Sequence, residues 1–381
     1  RVEVDLGALA GNLSVVRQAI GGRGVFGVVK ADAYGHGALS VGLELERLGI
    51  DGLAVARVGE VEELRRSGVR STLLLLGGPA STEELERAVR WDATPVLTRR
   101  EQVADWSAWR RREAAGGNPL GVVVELDTGM SRHGVPLDDW PSILDELRAT
   151  RELELVGLMS HFAESELPQS CFSGVQERRF AGAVAAFDAG ERRSVTLHLS
   201  NSSAALRRPA ARWSAVRVGG ALYGLDLAAL ADSGTATGLR PVMSVKAPVL
   251  DLRKVAAGTG VGYCRTWRAP REAVIALVPV GYGDGFSSGF GPGDVLVRGA
   301  RCPIAGQISM DSLTVDVTAV PGVAVGDECV LLGEQEGERI GAADLAARAG
   351  VAAYEVWCGF RSRLPRLPVG GVGPTEPDRG R

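Results

Sequence analysis

The sequence lacks the features that mark a membrane-spanning or nucleic-acid-binding protein. Its 381 residues contain no run approaching the roughly 18 apolar residues that a membrane helix needs. The 46 acidic and 43 basic residues are spread along the chain, without a basic block of the kind that follows a phosphate backbone. We therefore expect a soluble globular protein that binds neither membranes nor nucleic acids.

Cysteine is also scarce and shows no pairing pattern. The number of cysteines is odd, their spacings are wide, and no CxxC pair or metal-ligand spacing occurs. This usage is typical of reduced thiols in a cytoplasmic enzyme, and it predicts no metal site. The cysteines are Cys171, Cys264, Cys302, Cys329 and Cys358.

Lysine is the scarcest charged residue, which makes its positions informative. The chain has three lysines, Lys30, Lys246 and Lys254, and uses arginine for its other positive charges. Lys30 directly follows the apolar run 25–29. Desolvation favours the neutral amine of a lysine, and a neutral amine can form a Schiff base. A structural alternative is that Lys30 ends a strand and pairs with Asp32.

The region 25–218 alternates short β-rich apolar runs with helix-compatible stretches. This alternation predicts a parallel α/β fold, and eight such runs predict a closed (β/α)8 TIM-type barrel with its chemistry at the carboxyl ends of the strands. An open doubly wound sheet is the alternative, weakened because no GxGxxG follows the first strand. The predicted strands are 25–29, 52–56, 72–76, 94–97, 121–126, 155–159, 195–199 and 215–218.

After about Ala228 the pattern changes to short strand-like runs separated by glycine-rich turns. We predict three regions: the barrel over 1–228, a mainly antiparallel β domain over 229–369, and a disordered tail over 370–381, which is rich in Gly, Pro and charge. The strands predicted in the β domain are 242–252, 273–280, 295–297, 313–317 and 329–332.

Nine motifs follow one another along the chain. They are VVKADAYGHG at 28–37, DTGMSR at 127–132, GLMSHFA at 157–163, NSSA at 201–204, VRVGGALYG at 216–224, VGY at 261–263, GYGDG at 281–285, SMD at 309–311 and YEV at 354–356. In type and order they resemble the alanine racemase family over nearly the whole chain. The resemblance implies a pyridoxal-phosphate-dependent isomerase that interconverts L-alanine and D-alanine, with Lys30 carrying the cofactor.

The resemblance also implies two acid/base groups, Lys30 and Tyr263. Racemisation removes a proton from one face of a carbon and returns it to the other, which two groups on opposite sides achieve most simply. Tyrosine titrates near 10, so it needs nearby positive charge to act as a base, and Arg217 and His161 are the implied sources. Arg217 is also implied to face the pyridine nitrogen, where its tightly held proton makes the ring a weaker electron sink.

The remaining implied site residues divide into cofactor and substrate contacts. Hydroxyl groups and exposed N–H groups suit a phosphate dianion. Taken singly, some of these residues have ordinary alternatives, such as a helix cap for Ser202, a solvated loop arginine for Arg132 and a turn aromatic for Tyr263. The implied cofactor contacts are Tyr34, His161, Asn201, Ser202, Arg217, Gly219, Gly220 and Tyr354, the substrate contacts are Arg132, Tyr282 and the backbone amide of Met310, and the supporting residues are Glu125 and Asp311.

Tyr263, Tyr282 and Met310 lie in the predicted β domain, whereas the cofactor residues lie mainly in the barrel. The family resemblance implies a head-to-tail homodimer in which the β domain of one subunit completes the site of the other. The residues alone also allow the two domains of one chain to close on each other. The usual family role implies D-alanine supply for peptidoglycan in a bacterial cytoplasm.

The sequence departs from the family at Glu125, two residues before Asp127. Many members carry there a lysine that becomes carbamylated and orients the arginine matching Arg132. A glutamate offers an anion without modification, although on a shorter arm. We therefore expect Glu125 to pair with Arg132 directly or through water, and activity to be independent of bicarbonate.

Two further departures affect the expected substrate. The segment 286–290 lacks an arginine that is common in the family, and Gln307 stands where another arginine is common. A less charged and wider entrance leaves racemisation of serine, or of a broader range of amino acids, as an alternative. A basic amino-acid decarboxylase is less favoured, because that class has an acidic residue at the pyridine nitrogen where this chain has Arg217. A non-catalytic cofactor carrier is less favoured, because such barrels usually lack the second domain.

Overall fold

The computed structural model describes residues 1–113, 118–167, 169–225 and 238–371. These residues form two compact units, each described here by itself. The predicted boundary at 228/229 and the predicted disordered tail beyond residue 371 lie outside the described residues. The first unit comprises Leu9–Ala33 and Ala38–Arg240, and the second comprises Arg1–Ala8, Tyr34–Gly37 and the chain from Pro241 onward.

The strands and helices are numbered along the chain. The strands are β1 (Val2–Asp5), β2 (Gly24–Val28), β3 (Gly52–Val55), β4 (Leu73–Leu75), β5 (Ala93–Leu97), β6 (Leu120–Asp127), β7 (Val135–Pro136), β8 (Leu153–Met159), β9 (Thr196–His198), β10 (Ala215–Val218), β11 (Met243–Pro248), β12 (Asp251–Val255), β13 (Gly260–Val261), β14 (Trp267–Arg268), β15 (Ala273–Val278), β16 (Asp294–Val297), β17 (Ala300–Pro303), β18 (Leu313–Asp316), β19 (Glu328–Gln335), β20 (Glu338–Ile340) and β21 (Arg366–Val369). The helices are α1 (Leu6–Ile20), α2 (Ala38–Arg47), α3 (Val58–Arg66), α4 (Thr82–Arg90), α5 (Glu101–Glu113), α6 (Trp140–Ala149), α7 (Phe172–Val184), α8 (Glu191–Ser194), α9 (Ser202–Arg207), α10 (Ala342–Ala349) and α11 (Ala353–Gly359).

The first unit contains a closed parallel barrel. Strands β2, β3, β4, β5, β6, β8, β9 and β10 pair in this order, and β10 pairs with β2 to close the ring. The strands are short, mainly apolar and mostly buried, as expected when side chains fill the barrel interior and helices cover its outside. All eight predicted strands are confirmed, with ends that differ by at most two residues.

The second unit is mainly antiparallel, as predicted. One sheet has the order β17-β16-β19-β11-β1-β21, and a smaller sheet has the order β12-β15-β18. The single predicted strand 242–252 is wrong: it divides into β11 and β12, which belong to different sheets. Strand β1 was not predicted, and it pairs antiparallel with β11 and parallel with β21.

Candidate active site

Lys30 lies two residues after β2 and begins an unusual turn. The next four residues, Ala31 to Tyr34, all have φ between 53° and 55°, in the left-handed region that costs an L-residue about 1–2 kcal/mol. Two hydrogen bonds hold the turn: the Ala33 N–H donates to the Val29 carbonyl at 2.9 Å, and Asp32 Oδ1 accepts the Ala38 N–H at 2.7 Å. The turn therefore fixes the backbone from which the Lys30 side chain extends.

The carboxylate of Glu60 anchors this turn from the neighbouring strand-to-helix connection. Its Oε1 accepts the Ala31 N–H at 2.6 Å, and its Oε2 accepts the N–H groups of Ala56 at 2.8 Å and Arg57 at 3.0 Å. The residue thus satisfies the exposed amides at the start of α3 and stabilises the strained turn after Lys30. Sequence reasoning missed Glu60, although a glutamate in the first turn of a helix was a usable signal.

Tyr34, at the end of the same turn, belongs to the second unit together with Tyr354. The two ring centroids lie 5.7 Å apart. Burial, with a smaller contribution from Cys358, raises the pKa of Tyr34 to about 12, so its phenol stays protonated and can donate a hydrogen bond. Gly35 follows with φ of +79°, and a Cβ there would lie 2.3 Å from the Trp357 carbonyl oxygen, so this position requires glycine.

Arg217, on the barrel strand beside that of Lys30, is only 3% exposed. Its Nη1 donates to the His198 carbonyl at 3.1 Å, its Nη2 donates to the Ser160 carbonyl at 2.6 Å, and Nη2 lies 3.3 Å from His161 Nδ1. Burial lowers the pKa of Arg217 to about 10, while the charge of Glu125 opposes this shift. The guanidinium therefore remains a fixed cation at neutral pH.

Two histidines, the buried His198 and the partly buried His161, flank Arg217 and are neutral at neutral pH. Burial and then the charge of Arg217 lower the pKa of His198 to about 3 and hold the pKa of His161 well below 6.5. His161 Nδ1 can therefore accept a hydrogen bond from Arg217. Of the two residues that the sequence offered as positive charges, Arg217 carries the charge and His161 does not, because burial beside a cation disfavours imidazolium.

A polar network that the sequence did not reveal supports these groups. The side-chain amide of Gln176 donates to the His161 carbonyl at 2.9 Å and to Thr128 Oγ1 at 3.1 Å, and its oxygen accepts the Ala163 N–H at 2.9 Å. Thr128 Oγ1 also lies 2.7 Å from Ser160 Oγ. Gln176 is fully buried, so this network holds the ends of β6 and β8 in a fixed arrangement.

The ends of β9 and β10 carry a cluster of backbone and hydroxyl donors. Ser202 Oγ accepts the N–H groups of Gly219 at 3.1 Å and Ala221 at 3.2 Å, within the turn that includes Gly220. Because these bonds use the lone pairs of Ser202, its hydroxyl hydrogen is the donor that a ligand would meet. Asn201 acts as the N-cap of α9, since its Oδ1 accepts the Ala204 N–H at 3.1 Å.

The exposed residue Arg132 lies in a loop that Asp127 orders. Asp127 Oδ1 accepts the N–H groups of Gly129 at 2.8 Å and Ser131 at 3.0 Å. Glu125 is 3% exposed, and its Oε2 lies 2.9 Å from His133 Nδ1. The pairing of Glu125 with Arg132 stays a prediction, and His133 is a contact that the sequence did not indicate.

The predicted site residues of the second unit are exposed. The exposed fractions are 69% for Tyr263, 43% for Tyr282 and 53% for Met310. Backbone hydrogen bonds join the segments of the last two, since the Tyr282 N–H donates to the Ser309 carbonyl at 3.0 Å and the Gly283 N–H donates to the Met310 carbonyl at 2.8 Å. Asp311 Oδ1 accepts a bond from Arg363 Nη2 at 2.7 Å, which gives the predicted supporting residue a defined partner.

Comparison with known proteins identifies the family. Models of the alanine racemase N-terminal and C-terminal domains match residues 4–226 and 242–368. The chain belongs to the alanine racemase family. It is thus an amino-acid racemase, an isomerase, as the sequence predicted, and the relatives favour this class over a decarboxylase or a non-catalytic carrier.

Individual members of the alanine racemase family cover almost the whole chain. An alanine racemase of Geobacter sulfurreducens is 40% identical over 378 residues, 96% of each chain. The crystal structure of alanine racemase from E. faecalis has a TM-score of 0.87 at 28% identity, covering 97% of this chain and 96% of that one. The structure from Bartonella henselae, described with covalently bound pyridoxal phosphate, has a TM-score of 0.83 at 26% identity and covers 97% and 99%.

Two further observations concern the described part of the chain. None of its helices is long and apolar enough to cross a membrane. Within the same residues, no group of three or more His, Cys, Asp or Glu side chains is arranged to hold a metal ion.

Proposed function

We propose that the protein interconverts L-alanine and D-alanine with pyridoxal phosphate held by Lys30. The observation that carries the proposal is the arrangement of β2 and β10, which pair in parallel with Arg217 opposite Phe26. Both strands have their carboxyl ends at the same mouth of the barrel. An amine suited to Schiff-base formation and a buried, permanently charged guanidinium therefore belong to the same end of the barrel.

The donors present in the chain fit pyridoxal phosphate. The Ser202 hydroxyl hydrogen and the Gly220 amide would donate to a phosphate, with Gly219, whose N–H donates to Ser202 Oγ, shaping the turn beside them. Tyr34 is a protonated phenol and would donate as well. Arg217 would face the ring nitrogen without giving up its proton. When bound, the cofactor supplies a ring that withdraws electrons from the α-carbon. Asn201 and Tyr354 are proposed to support the same phosphate contacts.

Lys30 and Tyr263 would move the proton. One group removes it from its face of the α-carbon, and the other returns a proton to the opposite face. Arg217 would supply the positive charge that assists the phenol of Tyr263, while the neutral His161 accepts a hydrogen bond from Arg217. Arg132 and the backbone amide of Met310 would hold the substrate carboxylate beside Tyr282, with Glu125 and Asp311 in support.

We also propose that the active enzyme is a homodimer with shared sites. Tyr263, Tyr282 and Met310 are large side chains exposed in the single chain, which suits residues that complete a site on a second copy. A mixing experiment tests this arrangement. In a 1:1 mixture of Lys30→Ala and Tyr263→Phe subunits, half of the dimers are heterodimers with one intact site each, so about a quarter of wild-type activity should return. A mixture that stays inactive after subunit exchange would contradict shared sites.

Alanine is the proposed substrate, with serine as the second candidate. Ser287, Ser288 and Gln307 are exposed and uncharged at the positions where family members often carry arginine. A chiral assay of the purified, cofactor-loaded protein against L-alanine, L-serine and L-lysine tests the choice. A kcat/KM that is highest for alanine supports the proposal, whereas a higher kcat/KM for serine or lysine would identify that amino acid as the preferred substrate.

The proposed biological role is D-alanine supply for peptidoglycan in a bacterial cytoplasm. The gene should restore growth of a D-alanine-requiring bacterial strain without added D-alanine, whereas the Lys30→Ala variant should not. Failure of the wild-type gene to restore growth, with the protein present and folded, would argue against this role.

A further inference from the structure

The contact between Glu125 and His133 has no counterpart among the predicted site interactions. Glu125 lies on β6 with its side chain 4% exposed, and its Oε2 is 2.9 Å from Nδ1 of His133, whose side chain is 37% exposed. Among the described residues this buried oxygen makes no hydrogen bond of standard geometry, so His133 Nδ1 meets it as a short polar contact. A buried carboxylate oxygen without a hydrogen bond is costly, and the nearby imidazole offsets part of this cost.

The loop that carries Arg132 connects β6 to β7 and is held at both of its ends. Asp127 Oδ1 binds the amides of Gly129 and Ser131 at the start of the loop. At its end, Gly134 has φ of +115°, and a Cβ there would lie 2.9 Å from the Asp127 N, so the chain returns tightly against β6. The next two residues form β7 and pair with Leu126 and Asp127. Arg132 therefore extends from a short loop fixed on both sides.

Charge connects this loop with the buried cation of the barrel. The carboxylate of Glu125 raises the pKa of Arg217, whereas the guanidinium of Arg132 lowers it. Glu125 and Arg132 thus both act on the charge of Arg217, in opposite directions. His133 is directly adjacent to Arg132 in sequence, so a contact that holds the imidazole also limits the backbone positions open to Arg132.

We propose that His133 is a positioning residue that, through Glu125, fixes the loop of Arg132 and thereby sets the affinity for the substrate carboxylate. The inference rests on the proposed function for the role of Arg132. The imidazole Nδ1 of His133 lies 2.9 Å from Glu125 Oε2, and this polar contact holds the end of the loop against β6. His133 itself is not proposed to touch the substrate or the cofactor.

Steady-state kinetics of the loaded holoenzyme test the proposal. The variant His133→Leu loses the donor, whereas His133→Asn keeps an N–H near the position of Nδ1 and is the matched control. We expect His133→Leu to raise KM for alanine about tenfold with kcat changed less than about twofold, because uniform binding is lost. His133→Asn should stay within about twofold of wild type in both constants. An unchanged KM in His133→Leu, or a loss that His133→Asn does not rescue, would overturn the proposal.

A coupling test asks whether Glu125 and His133 act as one unit. If they do, the double variant Glu125→Gln/His133→Leu should have a KM no higher than that of the worse single variant. Multiplicative effects of the two substitutions would mean that they act independently and would contradict the proposed linkage.

A spectroscopic readout separates this inference from the proposed function. The chain has four histidines, so imidazole nitrogen NMR of 15N-histidine-labelled holoenzyme gives a simple spectrum. We expect His133 Nδ1 to be protonated in the wild type, and this signal to change in Glu125→Ala. A wild-type protein that is inactive on alanine would contradict the proposed function. The spectrum would still show whether His133 and Glu125 are in contact. A His133 Nδ1 that carries no proton would contradict the contact whatever the activity.

Discussion

The substitution Tyr263→Phe should separate catalysis from stability. It removes one hydroxyl group from a side chain that is 69% exposed, so the free energy of unfolding should change by less than about 0.5 kcal/mol. A positioned acid/base group contributes about 10²–10⁴ in rate, which corresponds to about 2.7–5.4 kcal/mol of transition-state stabilisation. Racemisation should therefore slow by at least about a hundredfold in a protein that unfolds like the wild type.

Exchange in D2O makes this prediction specific to a two-base mechanism. With Tyr263 disabled, Lys30 can still remove and return a proton on its own face. One alanine enantiomer should therefore exchange its α-proton for deuterium faster than it is converted to the other, as measured by proton NMR and chiral chromatography. A racemisation rate within tenfold of wild type, or equally fast exchange of both enantiomers, would refute the assigned role of Tyr263.

Three further predictions concern the barrel. Arg217→Met leaves two buried carbonyl groups without their donor, which should cost about 2–5 kcal/mol of unfolding free energy in urea, and an unchanged midpoint would contradict the described contacts. Glu60→Ala removes the acceptor of the Ala31 N–H and should cost about 2 kcal/mol and weaken retention of pyridoxal phosphate on dialysis, whereas Glu63→Ala on the same helix should do neither. Burial keeps the pKa of His198 at about 3 and that of His161 well below 6.5 in the folded protein, whereas both histidines take up protons near pH 6.5 when the chain unfolds. The unfolded chain then binds more protons below pH 6.5, so the free energy of unfolding should decrease by about 1.4 kcal/mol per histidine for each unit by which the pH is lowered below 6.5. Urea unfolding at pH 7 and pH 5 measures this decrease, and equal free energies at the two pH values would contradict it.

The barrel strands could be predicted because their signal is local. Each is a short and mainly apolar run, and the barrel motifs lie at or just after the ends of their strands. Strand β1 gave no comparable signal, because its four residues become a strand by pairing with β11 and β21, far away in sequence. The division between β11 and β12 was missed since the alternating pattern continues across Val249 and Leu250 while the chain passes to another sheet.

The residues of the candidate site also divide into those with a local sequence signal and those without one. Lys30 and Arg217 were predictable because they stand at strand ends within recognisable motifs. Gln176, Glu60 and His198 were not, because a single polar residue on a helix or strand has no distinctive pattern until folding supplies its partners. The charge state of His161 likewise depends on burial beside Arg217, which the sequence does not specify.

If the protein racemises alanine through Lys30, both enantiomers must lose their optical activity in its presence. Separate solutions of L-alanine and D-alanine with the loaded enzyme, followed by circular dichroism, should both decay to zero signal, because the two enantiomers have equal free energy. The Lys30→Ala variant, folded by the same method, should leave both solutions unchanged. Decay from one enantiomer alone, an end point other than zero, or full activity in Lys30→Ala would be incompatible with racemisation through Lys30.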